Sequence, residues 1–146
     1  MPSLVEVLTD EGKKDQVVDA CCDLIDEEVK DKGGLSGLAI KAGFSAIKGV
    51  KPGFVRKAVT DLIPEFATAL EPMYQEAVAG NKPLGPFLQQ HSGRVADAML
   101  TITDGKAARS TSSVVKGTYD KLRGSAKKNV EAAVPRLAKL VERFTA

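Results

Sequence analysis

The amino-acid sequence predicts an all-α, compact single-domain bundle over residues 1–146, with about seven or eight helices and a Gly/Ala-rich helix at its centre. Three observations predict it. Apolar residues recur at spacings of three and four along most of the chain, and no segment alternates convincingly at period two. Aromatic residues are only 5% of the chain, with no Trp, so the core must be built from Leu, Val, Ile and Ala, which favours helices over a sandwich. The third observation is the stretch Gly33–Gly53, GGLSGLAIKAGFSAIKGVKPG. At about 100° per residue, Leu35, Leu38, Ala39, Ala42, Ala46 and Val50 share one face and Ile40, Phe44 and Ile47 a second, which leaves Gly37, Lys41, Ser45 and Lys48 for a polar arc. A helix with so little polar surface is expected to be buried from several sides, the alternatives being that it lies on a membrane surface, as its likeness in composition to cationic membrane-active peptides suggests, or packs on a partner. Close approach of another helix is the expected reason for Gly37, Gly43 and Gly49, since each Gly costs about 1 kcal/mol against Ala in a helix interior.

The elements follow in order. Ser3-x-x-Glu6 before an apolar pair is a capping-box pattern for a short opening helix that ends near Gly12. From about Lys14 to Lys32, Val17, Val18, Cys21, Leu24, Ile25 and Val29 recur at helical spacing among acidic residues, and Gly33-Gly34 stops the helix. The Gly-rich helix is ended by Pro52-Gly53. Phe54, Val55, Ala58, Val59, Leu62 and Ile63 mark a fourth helix; Pro64 either kinks it or opens the next, and Pro72 adds a second kink site. The segment Gly80–Pro86 is dense in turn residues and divides the chain into halves. After it are expected a short turn at Phe87–His91, a helix from about Ser92 to Thr103 broken at Asp104-Gly105, and a helix carrying Val114, Val115, Tyr119 and Leu122 with N-caps among Ser110–Ser113. A last helix follows the interruption at Gly124-Ser125 and bends at Pro135.

A net charge of +2 hides blocks of opposite sign. Residues 1–31 hold three basic and ten acidic side chains, residues 32–60 six basic and none acidic, residues 61–80 four acidic and none basic, and residues 81–146 twelve basic and five acidic. Blocks of alternating sign in successive helices favour neighbours of opposite charge, so the acidic second helix is expected beside the basic Gly-rich one. At about 0–1 kcal/mol per exposed pair, such a pattern chooses partners more than it adds stability.

Several function classes are disfavoured. Lys41 and Lys48 interrupt the Gly-rich run, and no stretch of about 18 uncharged apolar residues exists to span a membrane. The N-terminus carries acidic residues and no apolar h-region, so the expectation is a cytoplasmic protein without a secretory signal. Nucleic-acid binding would rest on Arg109, Lys116, Lys121, Arg123, Lys127, Lys128 and Arg136, yet Asp120 interrupts them, Tyr119 alone is available for stacking, and no nucleic-acid-binding motif is present. Glycines form no G-x-G-x-x-G or P-loop pattern after a strand, and two cysteines with one histidine make no metal motif, so no cofactor and no metal site is indicated. Glu65, Glu71 and Glu76 could gather around a cation, but solvent-facing carboxylates look the same. Cys21 and Cys22 point about 100° apart on a helix, which suits burial of one as a small apolar residue better than a mutual disulfide.

The runs KGGLSGLAIKAGFSAIKGVKPGFVRKAV (Lys32–Val59), LIPEF (Leu62–Phe66), ALEP (Ala69–Pro72) and VADAMLTITDGKAARS (Val95–Ser110) resemble a family of small all-helical bacterial proteins of unknown function. The resemblance covers most of the chain and implies a compact bacterial protein. It supplies no activity, ligand or catalytic residue.

The reading these features favour is a non-enzymatic binding or scaffold protein with an apolar groove between helices, where Lys41, Lys48 and Lys51 near one rim hold an acidic or lipid-like ligand or an amphipathic helix. The competing readings are an enzyme with a dispersed active site that includes His91, and a homodimeric interaction module. Catalytic residues are assigned in neither case.

Overall fold

Among the residues described by the computed structural model, 3–50 and 53–145 with the side chains of 34–36 and 50 excepted, there are seven helices and no strand. They are α1 (Leu4–Leu8), α2 (Lys14–Asp31), α3 (Gly34–Val50), α4 (Phe54–Ala79), α5 (Leu84–Gln90), α6 (Ser92–Arg109) and α7 (Ser113–Thr145). The all-α bundle read from the sequence is the observed fold.

Local chemistry accounts for the ends of these helices. Ser3 Oγ accepts the Glu6 N–H at 3.1 Å, as the capping pattern requires, while Glu71 in α4 accepts the Leu4 N–H at 2.6 Å and ties α1 to α4. Gly53 turns the chain into α4 at φ +80°, a left-handed conformation that a side chain would strain. Ser112 Oγ accepts the Val115 N–H at the start of α7.

Two expected breaks do not occur, and Pro64 does not open a new helix. Pro64 and Pro72 both lie inside the single 26-residue α4, Asp104-Gly105 lies inside α6, and Gly124-Ser125 lies inside the 33-residue α7 with Pro135. A proline costs about 3 kcal/mol in a helix interior. Around these two, Ile63, Leu70 and Met73 are each buried, at about 1.5–3 kcal/mol apiece, so packing outweighs the lost hydrogen bonds. The α6–α7 contact, the most extensive in the molecule, does the same for the glycines.

The core lies between α4 and the C-terminal half of α7. Val134 and Ala138 of α7 and Val95 and Ala96 of α6 have no exposed surface, and Leu70, Met73, Tyr74 and Ala77 of α4 are buried against them, with Leu4 of α1, Val17 of α2 and Leu88 of α5 closing the sides. The Gly-rich helix is therefore not central. Leu38 is 65% exposed, Ala39, Ala42, Ser45 and Ala46 are exposed, and no described side chain of α3 joins the core. The periodicity was real, but the outer face is mostly Ala, Ser and Gly, which expose little apolar area and need no cover. Only the strip Gly37, Ile40, Gly43, Phe44 and Ile47 turns inward. Close approach explains two of the three glycines: a Cβ on Gly37 would stand 2.7 Å from the Lys32 backbone, and one on Gly43 2.6 Å from Thr118 Cγ2, whereas nothing lies within 4 Å of Gly49.

Candidate functional site

An apolar groove of about 350 Å³ runs between α2, α3, α6 and α7. The α7 wall is a helical stripe, Leu122, Ala126, Val130, Ala133 and Leu137, spaced by three or four residues. Leu24, Ile25 and Val29 of α2 face it, with Ile40 of α3 and Met99 of α6 beside them. These side chains are half-buried and not in the core, and the small Ala126 and Ala133 give the groove its depth. Helix contact on either side keeps it open. At one side α3 seats on α7 where Gly43 meets Thr118 and Leu122, and at the other Arg136 holds α7 to α2.

Polar groups stand at the ends of the groove and are already paired. Glu28 lies 3.4 Å from Lys32 Nζ and accepts from Arg136 Nη1 at 2.9 Å, and Arg136 also reaches Glu27 and Asp31. The hydrogen bond from Arg136 holds the Asp31 carboxyl below its ordinary value. At the other end the Tyr119 hydroxyl donates to Asp104 and lies 2.8 Å from Thr103 Oγ1, while Arg123 Nε donates to Asp104 at 2.7 Å. Arg123 and then Tyr119 lower the Asp104 pKa by stabilising the carboxylate; burial, with Asp104 adding, raises that of Tyr119.

A second cleft of about 500 Å³ lies between the first half of α4 and the turn from α6 to α7, and Tyr119 lines both. Phe54, Leu62 and Val115 supply apolar surface, and Lys57, Lys106 and Arg109 supply positive charge. Lys57 has Asp61 at 3.4 Å and Lys106 has Glu65 at 2.8 Å.

The residues singled out from the sequence are dispersed. Lys48 sits on the α2–α3 seam, 3.6 Å from Asp26 and 4.4 Å from the centre of the Phe44 ring. Lys41, two turns earlier on the same edge, is exposed and forms no ion pair among the described residues. Neither lines the groove, and Lys51 lies outside the described residues. Lys32, which does line it, was not singled out. His91 forms the α5–α6 junction, its ring 4.6 Å from that of Phe87, with no hydrogen bond to the imidazole among the described residues. Glu65, Glu71 and Glu76 separate to Lys106, the Leu4 N–H and Arg94 respectively. Among the described residues no group of three or more His, Cys, Asp or Glu could hold a metal ion. Cys21 and Cys22 are both free and half-buried; burial, with Cys22 adding, pushes the Cys21 thiol up to about 11. Of the basic C-terminal block, Arg123, Lys127 and Arg136 turn to Asp104, Asp97 and the acidic α2, while Arg109, Lys116, Lys121 and Lys128 form no ion pair among the described residues.

No described helix is long and apolar enough to cross a membrane. No curated protein and no solved structure matches the chain. A family model does: the one described as a family of unknown function, DUF6918, matches residues 4–145, all seven helices included. By that coverage the chain belongs to the DUF6918 family.

Proposed function

We propose that the protein is a non-enzymatic binding protein which holds the apolar part of an amphipathic ligand in the groove between α2, α3, α6 and α7. The observation that carries this reading is the groove itself: an open volume of about 350 Å³ lined along its length mainly by aliphatic side chains, with Asn129, bonded to Ser125, on its α7 wall and paired charged groups at its ends. Its size falls at the lower end of small-molecule sites, about 300–1,000 Å³. Filling it removes apolar surface from water at about 25 cal/mol per Å² without breaking a polar pair. The ionisable groups at the ends stay matched, which suits holding a ligand more than transforming it. Lys41 and Lys48 enter this reading as a positive edge on α3 that draws an acidic ligand toward the groove, and Lys51, next in the sequence after α3, adds a third positive charge.

The test is native mass spectrometry with dodecanoate, together with flotation against phosphatidylglycerol vesicles. One molecule of dodecanoate per chain is expected, displaced in Ala133→Trp, where a large ring occupies the groove floor. Retention of dodecanoate by a folded Ala133→Trp variant, or no binding to the unaltered protein, overturns the reading. Binding to the vesicles with no uptake of dodecanoate overturns it too, in favour of a surface contact made by α3.

A further inference from the structure

The second cleft carries a deeper assignment, which rests on the groove reading above. Three cations, Lys57, Lys106 and Arg109, border it, against a single carboxylate in its lining, Asp61. Lys57 is matched by Asp61 and Lys106 by Glu65, but Arg109 forms no ion pair among the described residues. A positive excess therefore remains over a concave surface, whereas Arg56, Arg94, Arg123 and Arg136 are each paired with a carboxylate and Arg143 lies over the Phe144 ring. A guanidinium left unpaired in this way presents a planar fork of donors that matches a carboxylate or phosphate. The hydroxyls of Ser110 and Thr111 border the same cleft and add donors for an oxyanion.

The cleft is also not an isolated surface feature. The ring of Tyr119 is a wall of both spaces, and its hydroxyl is held by Asp104 and Thr103, so the ring is fixed where the apolar groove and the cationic cleft meet. An aliphatic groove on one side of a fixed ring and an unmatched cation on the other describe two ends of one ligand. We infer that the two spaces form one binding site for a single-chain amphiphile ending in an oxyanion, with the carboxylate or phosphate at Arg109 and the chain running past Tyr119 into the groove. Neutral and cationic amphiphiles of the same chain length forgo the contact with Arg109.

The experiment is isothermal titration of the full chain with dodecanoate, dodecyl phosphate, dodecanol and inorganic phosphate, repeated on Arg109→Gln, Arg109→Lys and Ala133→Trp. Arg109 is exposed, so its replacement leaves the core intact, which circular dichroism verifies. Both dodecyl oxyanions are expected to bind at least about tenfold more tightly than dodecanol, about 1.4 kcal/mol. Arg109→Gln removes that preference and leaves dodecanol unaffected, Arg109→Lys keeps part of it, and Ala133→Trp weakens all three chains. Equal binding of dodecanol and the oxyanions, or an unchanged preference in Arg109→Gln, overturns the headgroup assignment and leaves the groove reading standing. No effect of Ala133→Trp on any chain sinks the groove reading itself. Inorganic phosphate binding as tightly as dodecyl phosphate overturns the link between the two spaces, since the cleft would then take an anion without its chain.

Discussion

Replacing Gly43 by Ala sets two effects of known size against each other. In a helix interior the change stabilises by about 1 kcal/mol, because Gly has more conformational freedom to lose on folding. Here the new Cβ would stand 2.6 Å from Thr118 Cγ2 and 3.5 Å from Leu122 Cδ1. Thr118 is β-branched and stiff about χ1, so its methyl cannot simply swing aside, and overpacking of this kind costs about 1–3 kcal/mol. The net expectation for G43A is a destabilisation between about 0 and 2 kcal/mol. Thr118→Ala deletes the obstructing methyl and leaves a Cβ at 4.0 Å, an ordinary contact, so the double variant recovers the helix gain. The two changes should therefore couple favourably by about 1–3 kcal/mol. Gly49→Ala is the control: nothing lies within 4 Å of its Cβ position, and it should stabilise by about 0.5–1 kcal/mol. Urea unfolding followed by far-UV circular dichroism reads these as shifts of the midpoint at unchanged slope. A midpoint that rises as much in G43A as in G49A, or a coupling near zero, would refute the seating of α3 on α7 and with it one wall of the groove.

Three further outcomes follow from the same fold. Leu88→Ala, at a fully buried position of α5, should cost about 2–5 kcal/mol, whereas Leu38→Ala on the outer face of α3 should stay within about 0.5 kcal/mol; equal losses in urea unfolding would restore α3 to the centre. Asp31, Glu76 and Asp104 have their pKa values lowered by hydrogen bonds from Arg136, Arg94 and Arg123. The unfolded chain binds more protons at these sites than the folded one, so this stability is present above the unfolded carboxylate value of about 4 and is lost as pH falls through the lower folded values. Thermal unfolding from pH 7 to pH 2 should show the fall, and Arg136→Gln should shrink it. For the thiols, Cys22 should alkylate well before Cys21 at about pH 8, since the Cys21 thiolate is suppressed up to about 11; iodoacetamide rates on Cys21→Ser and Cys22→Ser proteins read this directly, and equal rates would contradict it.

Helix positions and the pairing of charge blocks were legible because each depends on neighbours three or four residues away or on whole segments. Asp26 and Lys48 do meet across α2 and α3, and Ser3 does cap α1. Breaks and burial were less legible, because both are decided by partners distant in sequence. Pro64, Pro72 and Gly124 signal interruption locally, yet each sits in a helix whose packing outweighs that signal. In α3 the apolar count misled because alanine and glycine are compatible with either side of a surface helix. The groove was missed for a related reason. Leu122, Val130 and Leu137 have the same periodicity as the core residues Val134 and Val141, and nothing in the order of residues says that one stripe of α7 is covered while its neighbour is not. The unmatched state of Arg109 is likewise a tertiary fact, visible only once Arg56, Arg94, Arg123 and Arg136 stand against their carboxylates.

The groove has a geometric origin in helix length. At about 1.5 Å per residue α7 spans roughly 50 Å, while α2 and α3, of 18 and 17 residues, span only about half of that. Neither can cover α7 alone, and each is attached to it by a different kind of contact. Arg136 gathers Glu27, Glu28 and Asp31 at one point, a charged clasp between α2 and α7, and Gly43 lets α3 come close at another. Between these two attachments, from Thr118 and Leu122 to Arg136 along α7, the groove is left open. Ala126 and Ala133 lie in that space, where a Leu would reach across and fill it. Substituting Ala133→Leu should therefore raise stability by burying its own added surface, in the same variant that loses dodecanoate. Stability and binding moving in opposite directions on one substitution is the signature of a groove kept open for an occupant.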